Sequence, residues 1–330
     1  MPSTKKTVKQ KIALIASQAD WGTSAITDAY RRLLEPEAEL LLSKGFRKLG
    51  PIALLNAVNF ITQQESLQYG ILALFNAPVL LSAIAPRKNN HRRIGILDWT
   101  EAYPVGRRGP FMGMYNKIYR AAFNRLDITA SPVMGFRSFY NTRGCSIREC
   151  RYPLPYPATE ASPRTLRNKT KLLFIGADYE RKGGDELLHL WSLHKPKRTE
   201  LTFVCPKPPI RELEGVKFAQ TIKTGSNTHK SLFEEHDVLL LPSRNEPFGY
   251  VALEAINHGM VVVITENSGC SHIVRESGGL VGATPEESIA MAFTLCESWE
   301  RIATISHNVA NYAGIYEKSI KEEVLSLFAS

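Results

Sequence analysis

Short unbroken apolar runs alternate along this chain with longer stretches in which apolar and polar positions are mixed at helical spacing. Residues 237–241 (Asp-Val-Leu-Leu-Leu) and 261–264 (Val-Val-Val-Ile) are apolar over the length of a strand, the pattern of strands buried on both faces of a parallel sheet. Residues 250–257 between them have helical spacing, and Gly259 supplies a stop. The same strand, turn and helix order is predicted at residues 11–16 with a helix through about Leu34, and at 171–175 with a helix over 186–194. Further strands are predicted at 39–42, 78–85, 94–98, 126–130, 200–205 and 216–218. Helices are predicted at 114–124, 132–141, 232–236 and 272–276, with two more after residue 281. Residues 51–75 form an apolar-rich stretch that predicts a long helix with a break near Gly70, either packed on a sheet or offering one face to a membrane.

This alternation predicts an α/β fold built from two Rossmann-like halves. Pro153, Pro155 and Pro157 interrupt every regular pattern, which places a domain boundary between residues 152 and 168. The expected domains are residues 1–160 and 161–330. A chain of 330 residues, 44% of them hydrophobic, can bury a core in both.

The candidate chemistry lies in the turns that join strands to helices. Glu246-Pro247-Phe248-Gly249 follows the strand at 237–241 and opens the helix beginning at Tyr250. Free N–H groups and a partial positive charge at a helix start favour a phosphate there. Glu254 follows eight residues after Glu246, and Ala255 comes next. Together with the flanking strands, this stretch resembles the E-x7-E signature of retaining glycosyltransferases of the GT-B fold, in the "group 1" or family four set of nucleotide-sugar transferases. The second half carries a further match, Gly176-Ala-Asp-Tyr-Glu-Arg181-Lys182-Gly183, which is similar to the family's G-x-n-K-G loop.

The resemblance implies two Rossmann-like domains facing across a cleft, the donor held by the second and the acceptor by the first, with a last helix over residues 313–328 able to cross back to the first. It implies transfer of a hexose from a nucleoside diphosphate sugar with retention at the anomeric carbon. Lys182 and Arg181 would hold the donor diphosphate, and Glu246 would bind sugar hydroxyls. Glu254 would bind the ribose diol, with Pro247, Phe248, Gly249 and Tyr250 completing the donor turn. No cofactor and no metal is implied, because fixed positive groups offset the phosphate charge and the leaving diphosphate accepts the acceptor's proton.

The first half departs from the family's pattern. The family has a histidine near the reacting centre, whereas His91 is the sole histidine before residue 189 and precedes the strand at 94–98. Asp98, which ends that strand, is the candidate to stand in, as a catalytic carboxylate or as a turn cap for Thr100 and Glu101. The first turn carries Trp21, Gly22 and Thr23 as candidate acceptor and cleft residues, or as a plain βα turn. It has no G-x-G-x-x-G fingerprint, which argues against a dinucleotide cofactor.

Charge adds one feature. The net charge of +9 is unevenly divided: residues 1–162 hold 22 Lys and Arg against 11 Asp and Glu, out of 41 and 32 in the whole chain. The balance is therefore +11 before residue 163 and −2 after it. The basic residues around Arg87, Lys88, Arg92, Arg93, Arg107 and Arg108 form either a solvated face or a surface for an anionic lipid or glycan. Nucleic acid is excluded as a partner, since these residues are not interleaved with aromatics and no nucleic-acid motif is visible. Five cysteines and no signal-like or membrane-spanning run predict a reduced, cytoplasmic protein, free or peripheral on a membrane. The alternative to an enzyme is a donor-binding partner subunit with little activity.

Overall fold

The structure is a computed structural model that describes residues 12–17, 21–35, 38–43, 70–74, 82–83, 85, 92–97, 117, 120–158, 162–206, 212–220, 222 and 225–329. The chain divides into two compact units, Met1–Pro153 with Ser319–Ser330, and Leu154–Lys318.

Unit 1 is built on β1 (Ile12–Ser17), α1 (Trp21–Leu34), β2 (Ala38–Ser43), β3 (Gly70–Leu74), β4 (Arg93–Ile96), β5 (Ile128–Ser131), α2 (Met134–Asn141) and β6 (Ile147–Glu149). The strands form one parallel sheet in the order β2-β1-β3-β4-β5-β6. This is the flavodoxin-like order, in which the chain reverses direction across the sheet beside β1.

Four expectations change here. Within the stretch predicted as a helix over 51–75, Gly70–Leu74 is a strand paired with both β1 and β4. The apolar run at its end is too short for periodicity to separate a buried helix from a buried parallel strand, and the sheet decided it. Within 78–85, predicted as a strand, Ser82 and Ala83 are helical. The Ser82 and Ala85 carbonyls accept from the Arg93 guanidinium at 2.5 and 2.7 Å, so they serve a buried cation instead of a ladder. Arg93 is only 1% exposed, which removes it from the basic surface proposed for it. Finally, Trp21, Gly22 and Thr23 form the first turn of α1 and not a loop ahead of it. Asp98, His91, Arg87, Lys88, Arg107 and Arg108 lie outside the described residues.

Unit 2 contains β7 (Thr170–Ile175), α3 (Gly184–His194), β8 (Thr199–Val204), β9 (Val216–Ala219), α4 (Asn227–Glu235), β10 (Val238–Leu241), α5 (Tyr250–Asn257), β11 (Val261–Thr265), α6 (Ser271–Glu276), β12 (Leu280–Gly282) and α7 (Pro285–Cys296). The last helix, α8 (Trp299–Ala329), ends the chain. Its residues from Ser319 count with unit 1, where Arg151 Nε donates to Glu323 at 2.9 Å and Arg92 donates to the Leu327 carbonyl at 3.0 Å.

The second sheet is also parallel, in the order β12-β11-β10-β7-β8-β9. Every residue of β10 and β11 is buried, as their unbroken apolar runs require. The core packs Leu172, Phe174, Leu201, Phe203 and Trp191 together, with Phe174 stacked on Phe203 at 4.3 Å between ring centroids. Each such side chain contributes about 1.5–3 kcal/mol on burial. The chain moves outward from β7 through β8 and β9, then returns to place β10 on the other side of β7. The carboxyl ends of β7 and β10 are thus neighbours at a topological switch point, where open α/β sheets bind ligands.

Candidate donor site

Two turns leave that switch point, one from each strand. The β10–α5 turn is held by a neighbouring turn: Glu246 N–H donates to Asn267 O at 3.0 Å, Gly269 N–H to Glu246 O at 3.0 Å, and Cys270 N–H to Phe248 O at 2.9 Å. Pro247 and Phe248 are buried against it. Gly249, at φ 88°, is in the left-handed region and is the N-cap of α5, with no side chain capping the helix. Gly249 brings no side chain to cap α5, so the positive end of the helix dipole at this turn is suited to an anion.

The β7–α3 turn is pinned to the same place. Gly183 has φ 72°, and a Cβ on it would lie 2.0 Å from the Pro242 carbonyl oxygen at the end of β10, so the two turns touch backbone to backbone. Arg244 adds a clamp, donating its backbone N–H to Arg181 O at 3.0 Å and its guanidinium to Asp185 at 2.6 Å. Arg181 reciprocates through its own guanidinium, which donates to Asn245 O at 2.7 Å. Its backbone N–H is held by Asp178 Oδ1 at 3.2 Å.

This fixes the charged groups. Lys182 Nζ lies 2.8 Å from Glu246 Oε2, and the Arg181 guanidinium lies 3.6 Å from the same oxygen. That oxygen is buried and accepts no well-directed hydrogen bond, so the contact is an ion pair whose lone pairs remain for another donor. Glu254 lies deeper, 6% exposed. Burial pushes its carboxyl up to about 8, against the opposing pull of the Lys182 ammonium. His229 Nε2 is 3.8 Å from Glu254 Oε1, and burial lowers the His229 pKa. Below the turn, Cys270 Sγ donates to the Gly249 carbonyl at 3.7 Å. Its thiol pKa is raised by burial first and by the Glu246 charge second.

The structure thus brings Arg181, Lys182, Glu246, Pro247, Phe248, Gly249, Tyr250 and Glu254 to the two turns at one switch point. Trp21, Gly22 and Thr23 belong to unit 1. Sequence reasoning missed Arg244 and His229. Arg244 stands inside the stretch that carried the prediction, but nothing in the spacing said that it faces back to α3. Among the described residues, no group of three or more His, Cys, Asp or Glu could hold a metal ion. No helix among them is long and apolar enough to cross a membrane.

Residues 169–298 match the family described as glycosyl transferases group 1. This segment contains both turns. Over these residues the chain is similar to group 1 glycosyl transferases. The chain is 34% identical over 123 residues to the lipopolysaccharide glucosyltransferase WaaG of Escherichia coli strain K12, covering 34% of this chain and 33% of that protein. It is also 34% identical over 67 residues to an uncharacterised glycosyltransferase of Methanocaldococcus jannaschii, 20% of this chain and 17% of that one. These matches span a third or less of the length of the curated relatives. The fold match extends further. Sucrose-phosphate synthase from Thermosynechococcus elongatus superposes with TM-score 0.68 at 15% identity, covering 97% of this chain and 98% of that one. HepE of Anabaena, in complex with UDP and glucose, gives 0.66 at 15%, covering 96% and 99%. At these identities the likeness shows the fold, that of the GT-B glycosyltransferases.

Proposed function

We propose that the protein is a retaining, metal-independent hexosyltransferase that uses a nucleoside diphosphate sugar and a glycan or lipid-linked acceptor. The observation that carries this reading is the meeting of Lys182 and Arg181 with Glu246 at the uncapped start of α5. Lys182, Arg181 and the first N–H groups of α5 hold the diphosphate and stabilise the charge that grows as the anomeric C–O bond breaks. Glu246 accepts from sugar hydroxyls, and Glu254 accepts from the ribose diol. A diphosphate oxygen takes the proton of the acceptor hydroxyl as the new C–O bond forms on the same face, which retains configuration. No protein base is needed for that step.

HepE has been seen with UDP and glucose, and WaaG is a glucosyltransferase by name. UDP-glucose is therefore the first donor to test. The acceptor belongs to unit 1, with Asp98 and the start of α1 as its candidate groups. The protein acts in the cytoplasm, and the basic unit 1 draws it to an anionic membrane surface.

The test is binding and turnover of UDP-glucose by the wild type and by Lys182→Ala and Arg181→Ala. A lost charge-assisted bond costs about 1.5–3 kcal/mol, so Lys182→Ala should weaken UDP binding about tenfold to more than a hundredfold. Arg181→Ala should do less, since its guanidinium is partly committed to Asn245. Unchanged affinity in Lys182→Ala would put the phosphate site elsewhere. Tight UDP-glucose binding with neither hydrolysis nor transfer would identify a donor-binding subunit instead.

A further inference from the structure

His229 is a residue that the donor-site reading does not use, yet the fold aims it at the centre of that site. Ser226 caps α4 by accepting from the His229 N–H at 3.2 Å. That makes His229 the third residue of the helix, where a capping box would place Glu or Gln reaching back to the cap. The imidazole turns inward instead. It is 2% exposed, sits edge-on to Phe233 at 5.1 Å between ring centroids, and presents Nε2 to Glu254 Oε1 at 3.8 Å. Phe233 is itself stacked on His258, so the ring has an aromatic backing that fixes its direction.

A neutral imidazole carries one proton, and the surroundings choose its place. His229 Nδ1 is buried without a hydrogen-bond partner. A proton there would be an orphaned buried donor, whereas at Nε2 it faces a carboxyl oxygen. At 3.8 Å the two groups are close but not hydrogen-bonded, and an approach of about 1 Å completes the hydrogen bond. The other charged group acting on Glu254 is Lys182 from the β7–α3 turn, with Glu246 on its far side.

We propose that His229 is a positioning residue of the donor site, sharing a proton with Glu254 and holding its carboxyl where a ribose diol meets it. The proposal rests on the assignment of Glu254 to the ribose. Its consequence is that discrimination of ribonucleotide from 2′-deoxyribonucleotide diphosphates depends on a side chain that never touches the nucleotide. A buried polar group built to meet a hydroxyl rejects the analogue that lacks it, because the group is left unpaired.

The experiment compares UDP and 2′-deoxy-UDP affinities in the wild type, His229→Leu and His229→Gln, with melting temperatures as a check on folding. The wild type should prefer UDP by about fivefold or more, the cost of leaving one buried polar group without its hydrogen bond. His229→Leu fills a similar volume and should lose most of that preference while keeping its affinity for 2′-deoxy-UDP. His229→Gln keeps an N–H near the Nε2 position and should recover part of it. An unchanged preference in His229→Leu overturns the proposal while leaving the donor site standing. A fall in affinity for both nucleotides by the same factor also overturns it, because that is what a merely structural histidine would do. Should His229→Leu fail to fold, ring-nitrogen NMR decides: an identical His229 titration in the wild type and Glu254→Gln overturns the shared proton, and a shifted one supports it. If the wild type binds neither nucleotide, the donor-site reading falls and takes this role with it.

Discussion

At the scale of single residues, one ammonium group serves two carboxyls unequally. Lys182 is in direct contact with Glu246, whereas Glu254 feels its charge from a buried position. The two glutamates should therefore fail differently. Glu254→Ala removes the proposed diol contact and should weaken UDP binding about tenfold to more than a hundredfold. Glu246→Ala leaves Lys182 free for the phosphate, so UDP affinity should change little while turnover from UDP-glucose falls. Equal losses of UDP affinity, measured by calorimetry, would refute the division of roles. These residues were legible in the sequence because their spacing is local: Glu246, Gly249 and Glu254 lie on one turn and one helix, and Arg181-Lys182 on another strand end. His229 was not legible, because its partner is on another helix and only the packing of α4 on α5 could reveal the pair. Arg244 was hidden for the same reason. A basic residue beside a motif says nothing about which neighbouring turn it clamps.

At the scale of elements, the second sheet was readable and the first only partly so, for a reason that lies in the side chains. The unbroken apolar runs of β7, β10 and β11 are each followed by a turn with a distinctive residue set. β3 is also a short apolar run, but it lies close behind the apolar-rich stretch at residues 51–61 and is not followed by a turn with a distinctive residue set, so the two were read as one helix with a break at Gly70. Residues 232–236 were predicted as a short helix, and α4 begins at Asn227 because Ser226 caps it. The end of α4 shows how these elements are held. His236 Nδ1 lies 2.7 Å from Leu232 O, and Nε2 lies 2.7 Å from Thr202 Oγ1 of β8. Burial pushes the His236 pKa down to about 4, against an ordinary value of 6.5. The sign follows from linkage: the unfolded chain takes up the proton first as pH falls, so stability present above 6.5 is lost progressively down to pH 4. The loss is on the order of 3 kcal/mol, at about 1.4 kcal/mol per pH unit. Urea unfolding monitored by tryptophan fluorescence should show this acid limb in the wild type. His236→Gln should be less stable at neutral pH but should have a flatter profile between pH 6.5 and 4. An equally steep profile in that variant would assign the acid limb to other groups.

At the scale of the molecule, the two units differ in what their charge is for. Unit 2 needs few positive groups, and those at the donor site are paired with carboxylates. Unit 1 carries the surplus, and the structure takes part of it away from any surface role. Arg93 is buried on the Ser82 and Ala85 carbonyls, while Arg92 and Arg151 are bound to the end of α8. Among the described residues, what remains includes exposed Arg31, Lys117 and Arg148; Arg87, Lys88, Arg107 and Arg108 lie outside them. A glycosyltransferase whose acceptor is lipid-linked gains from being held at the surface where that acceptor resides. Each Lys or Arg near an anionic membrane contributes about 1 kcal/mol. Four such residues acting together would amount to about 4 kcal/mol, enough to move the protein from mostly free to mostly bound at ordinary lipid concentrations. The attraction should fade as salt shortens the screening length from about 10 Å at 0.1 M to about 3 Å at 1 M. The test is co-sedimentation with vesicles of anionic or zwitterionic phospholipid at both salt concentrations. The variant replaces Arg87, Lys88, Arg107 and Arg108 with serine, and leaves Arg92 and Arg93 in place because their loss would disturb the fold. Binding to anionic vesicles at 0.1 M salt, lost at 1 M and in the variant, is the expected result. No binding at low salt, or binding that survives the four substitutions, would leave the basic surplus as a solvated face.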